Sequence, residues 1–265
     1  MFAASGRFAW DEDKDCLVLE GAFLVERALR AGLELLELFA VPARESWLRS
    51  LETNQAGIAG RPERSWRSTI LPEPEIAAMA GYPFHRGVLA RARRPPEIDC
   101  STLANLLAGK LTRAAARGEG RSTLLALPEL RDPANAGSLF RSAAALGCDG
   151  LLIRGGLDLY ARRVLRTSMG ASFMLPWARL GSPDDLAVFD ALGFQRAACV
   201  LGGGAADLRD FERPPRLLLV FGDEAYGLAP IWREACQHRL TLPMESGMDS
   251  LNVAVAAAIF LYALR

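Results

Sequence analysis

The sequence predicts an α/β protein of two domains, the second built on a mostly parallel sheet covered by helices on both faces. Strand and helix signals alternate along the 265 residues, which is typical of this fold class. Several predicted strands are short, continuous apolar runs, as at 216–221, and such runs indicate strands that are buried on both faces. The consecutive prolines Pro95 and Pro96 cannot continue a helix or a strand ladder, so they mark the expected domain boundary.

The expected first domain, residues 1–95, is a small α/β unit. Its sequence predicts strands at 16–19, 35–41, 68–71 and 87–92, and helices at 22–29, 43–51 and 74–80. Gly32 follows the first of these helices, in the position where glycine commonly ends one.

A linker with a short helix at 102–108 is expected over 96–121, before a second domain at 122–265. In that domain the sequence predicts strands at 123–127, 150–153, 197–201, 216–221 and 240–242, and helices at 138–146, 161–169, 183–192 and 230–236. A final helix begins near Val253 and is apolar on nearly all sides, so both of its faces need cover. The sheet can supply one cover and a second subunit the other.

Charge and cysteine content exclude several classes of protein. The 31 Lys and Arg residues balance 31 Asp and Glu residues, so no overall attraction to a polyanion is indicated. Between residues 61 and 121, however, eleven basic residues stand against six acidic ones; such a stretch can hold phosphates or be an ordinary solvated surface. Five dispersed cysteines without Cys-x-x-Cys spacing, and two histidines, argue against a metal site and fit a reducing compartment.

From the sequence we expect neither an export signal nor a membrane-inserted segment. The residues after Met1 lack the basic and apolar pattern of a signal peptide. The longest apolar run, 253–264, has twelve residues, which is too short to cross a bilayer. We therefore expect a cytoplasmic protein with no membrane partner and no metal.

Three polar segments follow predicted strands and fall at the carboxyl edge of the expected sheet, where α/β proteins bind ligands. The first is Asp-Pro-Ala-Asn-Ala-Gly-Ser-Leu-Phe-Arg at 132–141. Leu139 and Ala143 are expected to face the core, and Arg141, about 200° round the helix from Leu139, to point away from it. Taken alone, this segment also fits a surface arginine behind a helix that Asn135 caps.

The second segment, Gly-Asp-Glu-Ala-Tyr-Gly-Leu-Ala-Pro at 222–230, joins an apolar strand to a helix. Its glycines, Gly222 and Gly227, allow a tight turn or a close approach of the backbone to a ligand. The third segment, Leu-Pro-Met-Glu-Ser-Gly-Met-Asp-Ser-Leu-Asn-Val at 242–253, leads into the final helix and holds more polar residues than one helix cap needs. Read singly, each segment is also satisfied by an ordinary turn or cap.

In this order the three segments resemble the motifs of the SpoU (TrmH-type) RNA ribose 2′-O-methyltransferases, members of the SPOUT superfamily. The first resembles Asp-Pro-x-Asn-x-Gly-x-x-x-Arg and the second Gly-x-Glu-x-x-Gly-Leu, which includes Glu224. The third resembles Ile-Pro-Met followed by Ser-Leu-Asn-Val, with Leu242 in place of the isoleucine. A Ser-x-Gly-Ala element is matched at 168–171, and 19–29 and 84–90 are similar to the substrate-binding domain of many members.

The resemblance implies a trefoil-knotted C-terminal domain, a homodimer with a composite active site, and S-adenosylmethionine as cofactor. It assigns cofactor binding to Gly222, Leu242, Met244 and Leu251, with Leu201 and Gly202 as weaker candidates. It assigns Arg141 to the activation of the ribose hydroxyl. Because a guanidinium with a pKa above about 12 is almost always charged, we interpret Arg141 as stabilising the developing alkoxide. The residues expected to orient the ribose or this arginine are Asn135, Glu224, Ser250 and Asn252.

The RNA partner is expected to be ribosomal RNA, because the chain carries an additional N-terminal domain. The candidate RNA contacts are Arg166, Arg86 and Arg91. Two alternatives remain open at this point: the same chemistry on transfer RNA, and a non-catalytic RNA-binding member of the fold. A third, a dinucleotide-binding enzyme, is suggested by the glycines at 202–204, but Asp207 stands where the Gly-x-Gly-x-x-Gly pattern requires glycine.

Overall fold

A computed structural model of the chain describes residues 13–56, 66–115, 120–202, 204–223, 226–245 and 250–265. In the N-terminal part the elements are β1 (Cys16–Glu20), α1 (Ala22–Arg30), β2 (Leu35–Ala40), α2 (Glu45–Ala56), β3 (Arg67–Ile70), α3 (Glu73–Ala80) and β4 (Val88–Arg93). They are followed by β5 (Ile98–Asp99), α4 (Cys100–Ala115), β6 (Ser122–Leu127), α5 (Pro133–Ala145), β7 (Gly150–Ile153), α6 (Arg162–Thr167), β8 (Trp177–Arg179), α7 (Ala187–Asp190), β9 (Gln195–Cys199), β10 (Ala206–Asp207), β11 (Arg216–Phe221), α8 (Pro230–Glu234), β12 (His238–Thr241) and α9 (Val253–Ala263). Short 3-10 turns lie at Pro42–Arg44, Ala171–Phe173, Pro183–Leu186 and Leu208–Asp210.

The chain divides into two compact units. Unit 1 is the described part of Met1–Pro95 together with Tyr160–Phe173, and unit 2 is the described part of Pro96–Leu159 and Met174–Arg265. The helix predicted at 161–169 is α6, and it packs against β1 of unit 1, although its sequence position suggests the second domain. A hydrogen bond helps to hold α6 in unit 1, because the Arg162 guanidinium donates to the carbonyl oxygen of Ala80 at 2.9 Å.

Unit 1 contains a four-stranded mixed sheet in the order β1-β4-β2-β3. β4 is antiparallel to both of its neighbours, and β3 is parallel to β2. The apolar faces of β1, α3 and β4 meet in a core formed by Val18, Ile76, Ala80, Phe84 and Leu89. At the end of β1, the Glu20 side chain is only 2% exposed, and its carboxylate oxygens lie 3.8 Å from Arg162 and 3.8 Å from Arg166.

Unit 2 contains an eight-stranded sheet in the order β10-β12-β9-β11-β6-β7-β8-β5. Each pair of neighbouring strands is parallel, as the continuous apolar runs predict. All residues of β6 and β7 are buried, which requires cover on both faces of the sheet. This architecture confirms the predicted fold class. No helix in the described part of the chain is long and apolar enough to span a membrane.

The helices α4 and α5 are longer than the sequence predicts. The helix expected at 102–108 is α4, which has 16 residues because Leu103, Leu107 and Leu111 continue one apolar stripe into the core of unit 2. The helix expected at 138–146 is α5, which begins five residues earlier at Pro133. Proline is favoured in the first turn of a helix because its missing N–H has no partner there.

Candidate active site

A cavity of 460 Å³ lies at the carboxyl ends of β9, β11 and β12. These three strands are neighbours and parallel, so their ends meet at one edge of the sheet, the usual ligand-binding edge of α/β folds. Leu201, Gly222 and Leu242, which follow these strands, line the cavity together with the first turns of α9. Its size lies in the ordinary range for small-molecule sites, about 300–1,000 Å³.

The second polar segment forms a tightly closed loop on one side of the cavity. The Asp223 N–H donates to the carbonyl oxygen of Gly227 at 3.1 Å, and the Gly227 N–H donates to that of Asp223 at 2.9 Å. A Cβ atom on Gly222 would lie 2.2 Å from the carbonyl carbon of Gly227 and 2.3 Å from the Leu228 nitrogen. Gly222 is therefore required here, because no side chain fits between it and the returning backbone. The predicted orienting residue Glu224 lies outside the described residues.

The third polar segment contributes Leu242, Met244, Ser250 and Leu251 to the lining of the same cavity. Residues 246–249 of this segment lie outside the described part of the chain. Asn252 does not line the cavity but caps α9, since its Oδ1 accepts hydrogen bonds from the N–H groups of Ala254 at 3.0 Å and Val255 at 3.3 Å. The cap fixes the start of the helix whose first turns form part of the cavity wall.

The first polar segment is joined to the third through two asparagines. The Asn252 Nδ2 donates to the Asn135 Oδ1 at 2.8 Å, and α5 and α9 pack against each other. One interpretation of the sequence makes Asn135 the cap of its helix, but the structure shows that Asn135 does not cap α5. Asp132 caps α5 instead, accepting from the N–H groups of Ala134 and Asn135 at 2.8 Å each. The Asn135 amide is therefore left to bind Asn252.

Loss of this cap and amide pair should weaken the fold of unit 2. We expect Asn252→Ala to lower the free energy of unfolding by about 1–2 kcal/mol, the cost of removing an N-cap side chain. Asn252→Asp keeps an acceptor for the cap, so its free energy of unfolding should fall by less than about half of the loss expected for Asn252→Ala. Urea denaturation followed by circular dichroism measures both variants. An alanine variant as stable as the wild type would contradict this role for Asn252.

Besides the two asparagines, the structure leaves two further described candidates, Arg141 and Gly202, out of the cavity lining. Arg141 is exposed on α5, facing away from the buried Leu139 and Ala143 as predicted, and it does not belong to the cavity lining. The Gly202 N–H donates to the Thr241 Oγ1 at 3.3 Å, which directs it to the neighbouring strand. In one copy of the chain, the motif residues that line the cavity thus come from the second and third segments, and Leu201 joins them from the loop after β9.

The structure excludes the dinucleotide-binding alternative at 201–207. That fingerprint needs a helix to begin directly after its glycines, because the helix N-terminus holds the pyrophosphate. Instead, Ala206 and Asp207 form β10 and pair with β12, and a short 3-10 turn follows.

Several cavity residues carry no recognisable motif in the sequence. The rings of Phe221 and Phe260 meet edge to face with centroids 5.4 Å apart, and both line the cavity together with Arg233. Phe221 ends an apolar strand and Phe260 lies in an apolar helix, so sequence reasoning treats both as ordinary core residues. Cys199 also lines the cavity, and burial raises the pKa of its thiol well above the usual value, so the thiol is neutral at pH 7.

The three arginines predicted to contact RNA all lie in unit 1 and differ in their surroundings. Arg166 is partly exposed on α6, 3.8 Å from the buried Glu20, and Arg86 is exposed just before β4. Arg91 on β4 has a side chain that is 20% exposed and is bound to Asp13 at 2.5 Å and Glu37 at 3.3 Å. Its two carboxylate partners leave little of its charge available to a phosphate.

Comparison with known proteins places these features in a family. The SpoU rRNA Methylase family matches residues 122–262. An uncharacterized tRNA/rRNA methyltransferase of Mycobacterium bovis is 33% identical over 254 residues, which cover 94% of this chain and 80% of that protein. A 23S rRNA (uridine(2479)-2′-O)-methyltransferase of Streptomyces viridochromogenes is 36% identical over 176 residues, covering 63% of this chain and 59% of that enzyme.

Solved structures agree with the fold over nearly the whole chain. The SpoU methyltransferase AviRb from Streptomyces viridochromogenes, in complex with the cofactor AdoMet, superposes with a TM-score of 0.71 at 26% identity and covers 94% of this chain and 89% of that one. An AdoMet-bound rRNA methyltransferase from Sinorhizobium meliloti gives a TM-score of 0.76 at 22% identity, with coverage of 96% and 88%. The predicted resemblance is therefore confirmed, and the chain belongs to the SpoU rRNA Methylase family of RNA methyltransferases.

Proposed function

We propose that the chain transfers the methyl group of S-adenosylmethionine to a ribose 2′-hydroxyl of ribosomal RNA, with the cofactor bound in the 460 Å³ cavity of unit 2. The observation that carries the proposal is the convergence of the second and third motif segments on this one cavity at the carboxyl edge of a parallel sheet. The relative from Streptomyces viridochromogenes, named as a 23S rRNA ribose methyltransferase, supports both the reaction and the substrate class.

The residues of the cavity fit such a cofactor. Apolar contacts to a flat heterocycle are offered by Leu228, Leu242 and Leu251. Because Gly222 has no Cβ, the loop after β11 can close tightly, and the backbone of Gly222 then lies beside the bound ligand. Arg233 and Asp223 add charged groups of both signs to the lining, which suits a ligand with an amino group and a carboxylate. When bound, S-adenosylmethionine supplies a methyl group already activated by a sulfonium. The protein therefore has mainly to position the ribose hydroxyl.

The polar residues of the first and third segments orient the ribose. Ser250 lines the cavity and can bind a hydroxyl, and the Asn135–Asn252 pair fixes α5 against α9 next to it. Arg141 stabilises the negative charge that develops on the 2′-oxygen, as a fixed guanidinium does for an oxyanion. Because a guanidinium stays charged at neutral pH, it does not act as the base, and the proton leaves by another route.

A second copy of the chain completes this site. Along α9, the side chains of Val255, Ile259 and Tyr262 are 49%, 36% and 63% exposed and lie at the i, i+4 and i+7 positions of one helix face. An exposed apolar stripe of this kind is typical of a subunit interface. In a homodimer, Arg141 of the partner chain would approach the cavity, which explains why it is absent from the lining in one copy.

Disruption of this stripe should separate the dimer. We expect Ile259→Glu to halve the mass measured by light scattering and to remove methyl transfer, since a buried unpaired carboxylate is strongly unfavourable at an apolar interface. Leu106→Glu is the matched control, because Leu106 on α4 is an equally apolar residue that is 57% exposed. A dimer that persists in the Ile259 variant would contradict the assignment of α9 to the interface.

The remaining expectations follow from the same proposal. Unit 1 forms the RNA-binding domain and unit 2 a catalytic domain with the trefoil knot of the family; the expected linker at 96–121 contributes α4 to the core of unit 2. The protein acts in the cytoplasm. Calorimetric titration with S-adenosylmethionine, followed by a tritiated-methyl assay on total RNA, tests the function. Cofactor binding with tritium in ribosomal RNA is the expected result. Tritium in transfer RNA would overturn the substrate, and RNA binding without cofactor binding would identify a non-catalytic member of the fold.

A further inference from the structure

A second cavity, of 450 Å³, lies in unit 1 and concentrates basic and aromatic side chains. Its lining includes three arginines, Arg44, Arg86 and Arg166, and two aromatic residues, Phe23 and Trp47. Two acidic residues, Glu20 and Glu26, also line it, so the cavity carries a net positive charge of about one. Arginines combined with aromatic rings are the side chains that bind unpaired nucleotides.

Two of these arginines have no acidic partner in the part of the chain that the structure describes. The side chains of Arg44 and Arg86 make no hydrogen bond or ion pair with another described residue, and both residues are exposed. Gly87 has a positive φ of 70°, and a Cβ there would lie 3.3 Å from the Arg44 Cγ, so the missing side chain leaves room for Arg44. Arg86 precedes this glycine directly, which places the two side chains near the same wall.

The N-terminus of α1 opens into the same cavity. Gly21, Ala22, Phe23 and Leu24 line it, and no side chain caps this helix, since its N-cap position is Gly21 with a φ of 94°. The free N–H groups of a nine-residue helix attract an anion through their hydrogen bonds and the helix dipole. A phosphate would thus be approached by backbone donors on one side and by guanidinium groups on the other.

A buried carboxylate supplies the second, independent indication of a ligand. Glu20 is 2% exposed, and neither of its carboxylate oxygens has a hydrogen-bond partner within 3.5 Å. The Tyr82 hydroxyl is the neighbouring donor, and burial together with the Glu20 carboxylate raises the pKa of Tyr82 to about 12. Arg162 and Arg166, 3.8 Å away, balance the charge of Glu20 without donating to it at hydrogen-bonding distance. A buried acceptor without a donor within hydrogen-bonding distance is costly, and a base amino group or ribose hydroxyl in the cavity would supply that donor.

The aromatic walls are held in place by neighbouring side chains. The Trp47 Nε1 donates to the Glu26 Oε1 at 2.7 Å. This hydrogen bond fixes the indole ring of Trp47, on α2, against α1. Phe23 is 44% exposed, and the guanidinium carbon of Arg27 lies 4.3 Å from its ring centroid. Preorganised rings bind a base at a lower entropic cost than mobile ones.

We propose that this cavity of unit 1 binds one unpaired nucleotide of the RNA, its phosphate held by Arg44, Arg86 and the N-terminus of α1, and its base against Phe23 and Trp47. The proposal rests on the proposed function for the identity of the RNA but concerns a site separate from the cofactor cavity. It extends the candidate contacts Arg86 and Arg166 by Phe23, Arg44 and Trp47, none of which the sequence alone predicts as an RNA contact.

The test is RNA binding by the full chain, measured by fluorescence anisotropy with a labelled random-sequence single-stranded 12-mer RNA. We expect the double variant Arg44→Gln/Arg86→Gln to weaken binding about tenfold or more. The slope of log K against log salt should fall by about 0.7 for each phosphate contact removed. Arg49→Gln/Arg93→Gln removes the same charge from two exposed arginines outside the cavity and should stay within about twofold of the wild type.

A substitution in the aromatic wall tests the base contact. Phe23→Leu keeps an apolar side chain and should weaken binding about fivefold or more while leaving the salt slope unchanged. Equal losses in the two double-arginine variants, or full affinity after Phe23→Leu, would overturn the proposal. A thermal melt by circular dichroism confirms that each variant is folded.

Methyl transfer and cofactor binding separate this proposal from the function itself. In the Arg44/Arg86 double variant, the KM for ribosomal RNA should rise about tenfold, while the affinity for S-adenosylmethionine stays at the wild-type value. If the wild-type chain transfers no methyl group at all, the proposed function fails, whereas the anisotropy data still decide whether the cavity binds RNA.

Discussion

Arg141→Ala should lower kcat for methyl transfer about 100- to 1,000-fold while leaving the affinity for S-adenosylmethionine unchanged. The range is the usual cost of removing one group that stabilises an oxyanion in the transition state. Arg141 is exposed on α5 and absent from the cavity lining of its own chain, so its removal should not disturb the cofactor-binding walls. A tritiated-methyl assay and calorimetric titration on the same preparation measure the two quantities.

Two further variants test whether this loss comes from the guanidinium of Arg141 itself. Arg141→Lys keeps the charge but loses the planar fork of donors, so it should retain part of the activity. Arg239→Ala removes an exposed arginine from β12 and should leave kcat unchanged. Loss of cofactor binding together with activity in Arg141→Ala would show that the arginine supports the cofactor site rather than the reaction.

Gly222→Ala should weaken binding of S-adenosylmethionine about 10- to 100-fold and remove most of the activity. The added Cβ would lie 2.2 Å from the Gly227 carbonyl carbon, so the loop after β11 has to open. Overpacking of this kind costs about 1–3 kcal/mol, and each 1.4 kcal/mol corresponds to about tenfold in affinity. Because the clash is with backbone atoms, rotation of a side chain cannot relieve it.

The matched control is Gly156→Ala. Gly156 also belongs to unit 2, and a Cβ at this position would meet no atom within 4 Å. The affinity of the Gly156→Ala variant for the cofactor should therefore equal that of the wild type. Wild-type affinity in Gly222→Ala would show that the cofactor does not bind against this loop.

The fold class could be predicted because long apolar strands such as β6 and β11 are recognisable from the sequence alone. The strands β5, β8 and β10 were not predicted, since each has only two or three residues. Such short strands exist because a neighbouring strand pairs with them, and that information is not local. The position of α6 in unit 1 was missed for the same reason, because its ion pairs with Glu20 join residues far apart in the chain.

The candidate site was predictable where the chemistry concentrates in short motifs. The motif segments predict Gly222, Leu242 and Leu251 as cofactor contacts, and the structure places these three residues around one cavity. Phe260 was missed because it stands in a helix of apolar residues that all look alike in sequence. Phe23 and Trp47 were missed because an aromatic residue on a helix usually indicates a core position, and only the three-dimensional arrangement brings them beside Arg44 and Arg86.

Nucleoside analysis of methylated RNA tests the central claim most directly. Ribosomal RNA from a strain that lacks the gene would be incubated with the purified chain and tritium-labelled S-adenosylmethionine, digested to nucleosides and separated by mass. We predict that the label appears in a single 2′-O-methylated nucleoside and that Gly222→Ala transfers little of it. Label on a base, or no label in RNA despite cofactor binding, would contradict the account.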